Sequence, residues 1–177
     1  ANRLHGWGND VRLTNNGSSY EPSLGIDSQG NVHVVWEEYM NGHYEIYYTK
    51  LDNNGNTLVD DLRLTFGSAI LPYSFTLNPS LAIDAQGNVH VVWEDYRSGD
   101  WEIYYKKLDN NGNTLINDTR LTFAIGDSVY PSLGIDSQGN VHVTWIDRRS
   151  GYRYVYYKKL DNNGNTLVNE RVANFYI

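Results

Sequence analysis

The chain has 177 residues, of which 40% are hydrophobic and 14% aromatic, with 15 Tyr, 5 Trp and no Cys. A formal charge of −7 and a pI near 5.1, with no run of basic residues, argue against a nucleic-acid partner or an anionic membrane surface, which need clustered Lys and Arg. The lack of cysteine excludes disulfides, thiolate metal sites and a Cys nucleophile, and no apolar stretch is long enough for membrane insertion as a helix.

The chain opens Ala1-Asn2-Arg3, as it would after removal of a leader, so an extracellular, cell-surface or periplasmic location is expected. Residues 1–21 read as an N-terminal outer strand and linker. Within them Val11, Arg12, Leu13 and Thr14 match the later Leu62-Arg63-Leu64-Thr65. A first complete unit spans 22–66. Its first strand is Pro22 to Asp27, followed by turn chemistry at Ser28-Gln29-Gly30-Asn31. Val32 to Trp36 alternates as a second strand, with Val32, Val34 and Trp36 on one face and His33 and Val35 on the other. Met40-Asn41-Gly42 turns the chain into a third strand, Tyr44 to Leu51. Asn53-Asn54-Gly55-Asn56 is a hairpin signal, and Thr57 to Thr65 is the fourth strand.

The pattern then repeats over 79–123 and 131–177. Leu-Asp-Asn-Asn-Gly-Asn-Thr-Leu begins at Leu51, Leu108 and Leu160, at spacings of 57 and 52 residues. Gln-Gly-Asn-Val-His-Val begins at Gln29, Gln86 and Gln138, with Trp36, Trp93 and Trp145 at one offset. The longer period carries extra residues around Ile70 to Leu77. No segment has helical periodicity. Four short strands per unit, repeated with Gly and aromatic markers, predict an all-β fold of three four-stranded β-propeller blades. A sandwich would not explain the repeats, and a solenoid coil is usually shorter.

The stretch from Arg97 to Tyr105, then Asp109 to Gly112 and Arg120-Leu121-Thr122, resembles a TolB-like propeller blade. Pro131-Ser132 and Asp136 to Gly139 supply its continuation. A second resemblance is to sialidase-like propellers with the Asp-box. Leu51 to Leu58 sits where that box would lie, echoing it at Asp52, Gly55 and Thr57, but with one inserted residue and Leu58 in place of the aromatic. In that family the box is structural, so the resemblance does not imply sialidase activity.

Propellers typically close with four to eight blades. Two copies of three blades make six, which is the TolB-like number, so a homo-oligomer is expected: a dimeric six-bladed ring, or an open assembly through surplus strands.

Near-identical repeats present like groups, whereas hydrolysis needs unlike ones, so a binding module is expected rather than an enzyme. Carboxylates recur after the repeated Trp at Glu37, Glu94 and Asp147. Aromatics and cations beside them include Tyr39, Tyr96, Arg97, Trp101, Arg148 and Tyr152. Together these are the candidate ligand contacts for a glycan or protein partner. The alternative is a charged hairpin end with local Asp95–Arg97 and Asp147–Arg149 pairs. Tyr20, Tyr73 and Tyr130 lie close to each Pro-Ser on the same predicted face. His33, His90 and His142 read as packing residues between blades, because three separate blades keep them apart. The Asp52, Asp109 and Asp161 turns faintly resemble oxygen-rich Ca²⁺ loops but lack the further carboxylates such a loop needs. No cofactor is expected. Asn16-Gly17-Ser18 and Asn117-Asp118-Thr119 are glycosylation sequons.

Overall fold

The alternating Val-His-Val segments put one apolar set on each face of a strand, so every sheet must be covered on both sides. The computed structural model of the chain, which describes residues 10–15, 17–66 and 75–172, does this by stacking three four-stranded antiparallel sheets. Blade 1 is β1 (Ser18–Ile26), β2 (Val32–Met40), β3 (His43–Leu51) and β4 (Thr57–Arg63). Blade 2 is β5 (Thr76–Ile83), β6 (Val89–Asp95), β7 (Glu102–Leu108) and β8 (Thr114–Arg120). Blade 3 is β9 (Ser128–Ile135), β10 (Val141–Asp147), β11 (Tyr154–Leu160) and β12 (Thr166–Val172). Strands neighbour one another in chain order within each sheet, and the first strands pack β1 on β5 and β5 on β9. The described residues are three blades of a β-propeller, as the repeat predicts.

Each repeat motif has a structural reason. Asp27 Oδ1 accepts the backbone N–H groups of Gln29 and Asn31, both at 2.9 Å, and Asn31 Nδ2 closes on Oδ2 at 2.8 Å. Gly30 takes a φ of 83°, which a side chain would resist. Asp84 and Asp136 build the same turn, and Asp52, Asp109 and Asp161 build it between the third and fourth strands. The carboxylates of the three turns with a faint Ca²⁺ pattern are thus engaged by their own loops. Among the described residues no three His, Cys, Asp or Glu are placed to hold a metal ion.

The Arg-Leu-Thr motif is a clasp. Arg63 donates to Glu45 Oε1 at 2.7 Å, Thr65 Oγ1 donates to Glu45 Oε2 at 2.5 Å, and Thr65 Oγ1 accepts from Ile46 N. Arg120, Glu102 and Thr122 repeat it in blade 2. The repeated Trp stands directly opposite a Tyr in register: Trp36 on Tyr47, Trp93 on Tyr104 and Trp145 on Tyr156. Their rings are nearly parallel with centroids about 6 Å apart, an offset arrangement favoured by the ring quadrupole.

Two cores lie between blades. Val35, Ile46 and Tyr48 of blade 1 meet Leu81, Val91, Trp93 and Leu108 of blade 2. Val92, Ile103 and Tyr105 of blade 2 meet Val141, Val143, Trp145 and Leu160 of blade 3. Polar latches join the same surfaces. Lys50 Nζ reaches Asn110 Oδ1 at 2.6 Å, and Lys107 Nζ reaches the matching Asn162. Lys106 caps the carbonyl of Leu64, and Lys158 that of Leu121.

Three details differ from the sequence reading. The Pro-Ser pairs lie inside the first strands, which start earlier, at Ser18, Thr76 and Ser128. Each Pro follows a residue of positive φ (Glu21 45°, Asn78 52°, Tyr130 55°) and sits in a break of register. This bulge re-aims the strand. The second strands run further than expected, past the repeated Trp, so Glu37, Glu94 and Asp147 lie within strands. Finally, Asp10–Asn15, including Val11, Arg12, Leu13 and Thr14, are not hydrogen-bonded as a strand. β12 already occupies the outer edge of β11 (Tyr156 pairs with Val172), so blade 3 offers this segment no vacancy. Instead Arg12 Nε donates to Thr14 O, the bond that Arg63 makes to Thr65 and Arg120 to Thr122. Leu13 lines one recess with Val34 and Trp36, while its counterpart Leu64 is buried in the core with Val91 and Trp93. Tyr73, Asn16 and most of the extra residues around Ile70 lie outside the described residues.

Candidate functional site: an aromatic cleft on the mouth face

The second-to-third strand hairpins and the starts of the first strands meet at one end of the blades, as the sequence reading placed them. Five aromatic rings form a row there across the boundary of blades 1 and 2. Tyr39 lies 4.7 Å from Tyr44, Tyr44 6.0 Å from Phe75, Phe75 6.3 Å from Trp101, and Trp101 5.3 Å from Tyr96. Tyr20 joins Tyr44 at 6.1 Å. A parallel bridge between Tyr44 and Phe75 fixes the two blades at this point, and Thr76 Oγ1 donates to Tyr44 O at 2.8 Å. Tyr20, Glu21, Glu37, Tyr44, Phe75, Leu77 and Trp101 line an open cleft of about 450 Å³.

The structure brings Tyr39, Tyr96 and Trp101 together and leaves Tyr152 apart, on blade 3, beside Tyr154 at 6.4 Å. The carboxylates behind the row have structural partners. Glu37 Oε1 accepts the backbone N–H of Asn78 at 2.5 Å. Glu94 accepts Asn78 Nδ2 and the N–H of Tyr130, both at 2.7 Å. Each buried carboxylate therefore secures the positive-φ residue of the next blade, where an unbonded N–H would be costly. Burial raises the pKa of both Glu37 and Glu94, although these N–H donors oppose it. Asp147 is buried between Trp145 Nε1, Ser128 Oγ and Arg149. Arg97 is tied to Asp95 and Asp118, and Arg148 to Asp127 at 3.3 Å. The local Asp95–Arg97 and Asp147–Arg149 pairs of the alternative reading are both present.

Sequence reasoning missed Tyr44 and Phe75. Tyr44 was legible: it occupies the repeat position of Trp101, two residues after a hairpin Gly. Phe75 had no signal, because it ends the extra segment of the longer period.

The three histidines do not converge. Each forms a relay within its own blade. His33 Nε2 faces Asp27 at 3.3 Å and its Nδ1 faces Tyr48 OH at 2.9 Å. His90 lies between Asp84 and Tyr105, and His142 between Asp136 and Tyr157. The arrangement resembles a catalytic relay, but His33 and His90 are fully buried between blades. Burial lowers the pKa of both imidazoles. The turn hydrogen bonds from Asn31, with those from His33 and Gln29, hold Asp27 well below the usual carboxylate range despite its burial.

No protein-family model matches the sequence, and no curated protein matches it. Solved structures do resemble the fold. A thermostable family-43 glycoside hydrolase superposes with a TM-score of 0.66 at 15% identity, over 93% of this chain and 62% of its own. A Hadza microbial sialidase gives 0.66 at 12% identity, over 88% and 37%. An endo-1,4-beta-xylanase from Bacteroides thetaiotaomicron gives 0.60 at 13% identity, over 89% and 60%. The chain thus has the β-propeller fold found in glycoside hydrolases and sialidases, and it spans less than two thirds of each of these proteins. At such identities the likeness concerns the fold alone.

Proposed function

We propose that the chain is a non-enzymatic, extracellular binding module that recognises glycan through the aromatic cleft. The observation that carries this reading is the row from Tyr39 to Tyr96, whose middle rings, Tyr44, Phe75 and Trp101, line a cleft at a blade boundary together with Tyr20. The faces of such rings cover the apolar side of a sugar ring, while Glu21, which also lines the cleft, takes its hydroxyls. Catalysis is disfavoured because Glu37 and Glu94 are committed to backbone donors, whereas a glycosidase needs two carboxyl groups set across its bond. The Arg-Leu-Thr clasp favours a TolB-like over an Asp-box assignment of the blades, since Leu58, in place of the box aromatic, is exposed. A glycan array probed with the chain, followed by titration of Trp101→Ala, tests the proposal. Binding that falls about tenfold or more on removing this ring supports it, and a silent array refutes it.

A second reading, a self-assembling subunit, rests on a separate observation. The outward face of blade 1 repeats the half-core that blade 2 presents to blade 1, with Leu24 and Ile26 exposed there and Val34 and Trp36 already covered. The outward face of blade 3 (His142, Thr144, Val155, Tyr157) repeats the other half with altered residues. Lys159 holds the position of Lys50 and Lys107 and pairs with its own Asp136 at 3.3 Å, while Asn53 holds that of Asn110 and Asn162. A second copy supplies both missing halves and would close a six-bladed ring. Native mass spectrometry over a concentration series should show a dimer that Lys159→Glu weakens about tenfold and that adding Asn53→Lys restores. A monomer throughout would refute this reading.

A further inference from the structure

Blades 2 and 3 each hold one arginine at the outer rim, between two carboxylates and over a tyrosine ring. Arg97 pairs with Asp95 at 2.5 Å and Asp118 at 3.0 Å, its guanidinium 4.6 Å from the Tyr104 centroid. Arg149 pairs with Asp147 at 2.6 Å and Glu170 at 3.0 Å, 4.3 Å over Tyr156. Lys106 adds a second cation to Asp118 at 2.8 Å.

Blade 1 retains the anionic half of this arrangement without the cations. Glu38, Asp61 and Tyr47 hold the positions of Asp95, Asp118 and Tyr104 in the strand registers. Met40 stands where Arg97 stands, and Thr49, its hydroxyl turned to Val59 O at 2.7 Å, where Lys106 stands. Glu38 is 3% exposed. Its Oε2 accepts from Trp36 Nε1 and Ser19 Oγ, both at 2.8 Å. Its Oε1, like Asp61 Oδ1, is buried with no hydrogen-bond partner among the described residues. Glu38, Asp61, Tyr47, Trp36 and Met40 line one recess of about 100 Å³. Burial, together with the charges of Asp60 and Glu38, raises the pKa of Asp61. Buried carboxylate oxygens without donors are unfavourable until a donor arrives.

We infer that this recess binds a guanidinium group, held by Glu38 Oε1 and Asp61 Oδ1 and packed over the Tyr47 ring. Guanidinium is the cation the fold places here twice already. It is planar, donates to two carboxylates at once and stacks on aromatic faces. A divalent metal ion suits the recess poorly, because two carboxylates and a thioether do not make the oxygen shell such an ion requires. The group arrives either on a free small molecule or on an arginine of another protein chain, a second copy included.

The test is a titration of the chain with methylguanidinium chloride, with methylammonium chloride and urea at matched ionic strength as controls. The readout is the Trp36 indole N–H resonance, whose donor bonds Glu38. A saturable shift with methylguanidinium, at a dissociation constant of about 1 mM or tighter, is expected, with little response to either control. Met40→Arg fills the recess from within, so it should abolish the shift and raise the melting temperature. Asp61→Asn should weaken binding about tenfold. Repeating the titration across protein concentrations separates the sources: constant affinity supports a free ligand, and affinity that falls as copies associate supports an arginine from a second copy. A non-saturating shift common to all three solutes, or a Met40→Arg variant that responds as the parent does, overturns the inference.

Discussion

Leu24 and Leu81 share one repeat position, and only their surroundings differ. Leu81 is 6% exposed in the core between blades 1 and 2, whereas Leu24 is 64% exposed on the outward face of blade 1. Leu81→Ala therefore opens a cavity between two sheets and should cost about 3 kcal/mol, mid-range for a buried leucine. For a chain of 177 residues that lowers the melting temperature by about 6–12 °C. Leu24→Ala deletes a side chain with most of its surface in water, so its cost should be about 1 kcal/mol or less. Urea unfolding at low micromolar concentration, followed by tryptophan fluorescence, measures both from midpoints at unchanged slope. Equal costs at the two positions would refute the assignment of buried and open faces. Repeating the Leu24→Ala measurement at high concentration adds a check on assembly, because a second copy covering that face should raise its cost.

Glu37→Gln should stabilise the chain increasingly above pH 4.5. The carboxyl's folded pKa is raised by burial from its ordinary 4.5, so its favourable contribution is full below that value and is lost as pH rises through the folded pKa; a pH series of unfolding midpoints reads this. His33 and His90 act in the opposite sense. Their folded pKa values lie below the ordinary 6.5, so stability should fall as pH drops from 6.5, by at most about 2.7 kcal/mol per pH unit for two protons. Replacing both with Gln should flatten that slope in calorimetry. Lys107→Met removes a nearly buried ammonium from Asn162 and Asp84 and should cost about 1.5–3 kcal/mol, whereas Lys159→Met, which loses a 3.3 Å pair with a partly exposed Asp136, should cost under about 1 kcal/mol in the same unfolding assay.

The repeat made the blades legible. Gln-Gly-Asn-Val-His-Val carries a turn, an alternation and a relay histidine in six residues, and each is used locally within its blade. What depends on two blades at once was less visible. The roles of Glu37 and Glu94 rest on backbone N–H groups 41 and 36 residues away, and sequence spacing cannot show that a carboxylate beside a predicted loop secures a bulge in the next sheet. The Pro-Ser pairs misled for a similar reason: a proline can begin a strand or sit in a bulge, and only the pairing decides. Phe75 entered the cleft from a segment with no counterpart in the repeat. The recess at Glu38 and Asp61 was written in the sequence as Met40 at the position of Arg97, but the substitution acquires meaning only once Tyr47 and the two carboxylates are seen to share a wall.

The Asp–His–Tyr relays give the molecule three internal reporters of identical chemistry. The imidazole N–H facing Asp27 or Asp84 is sealed between sheets, so exchanging it with solvent deuterium requires those sheets to part. The one facing Asp136 belongs to a side chain that is 36% exposed, and it should exchange first. The lifetimes of the first two protons thus compare how often the two blade boundaries breathe, and a lengthening of the third alone would mark the moment something settles on the outward face of blade 3.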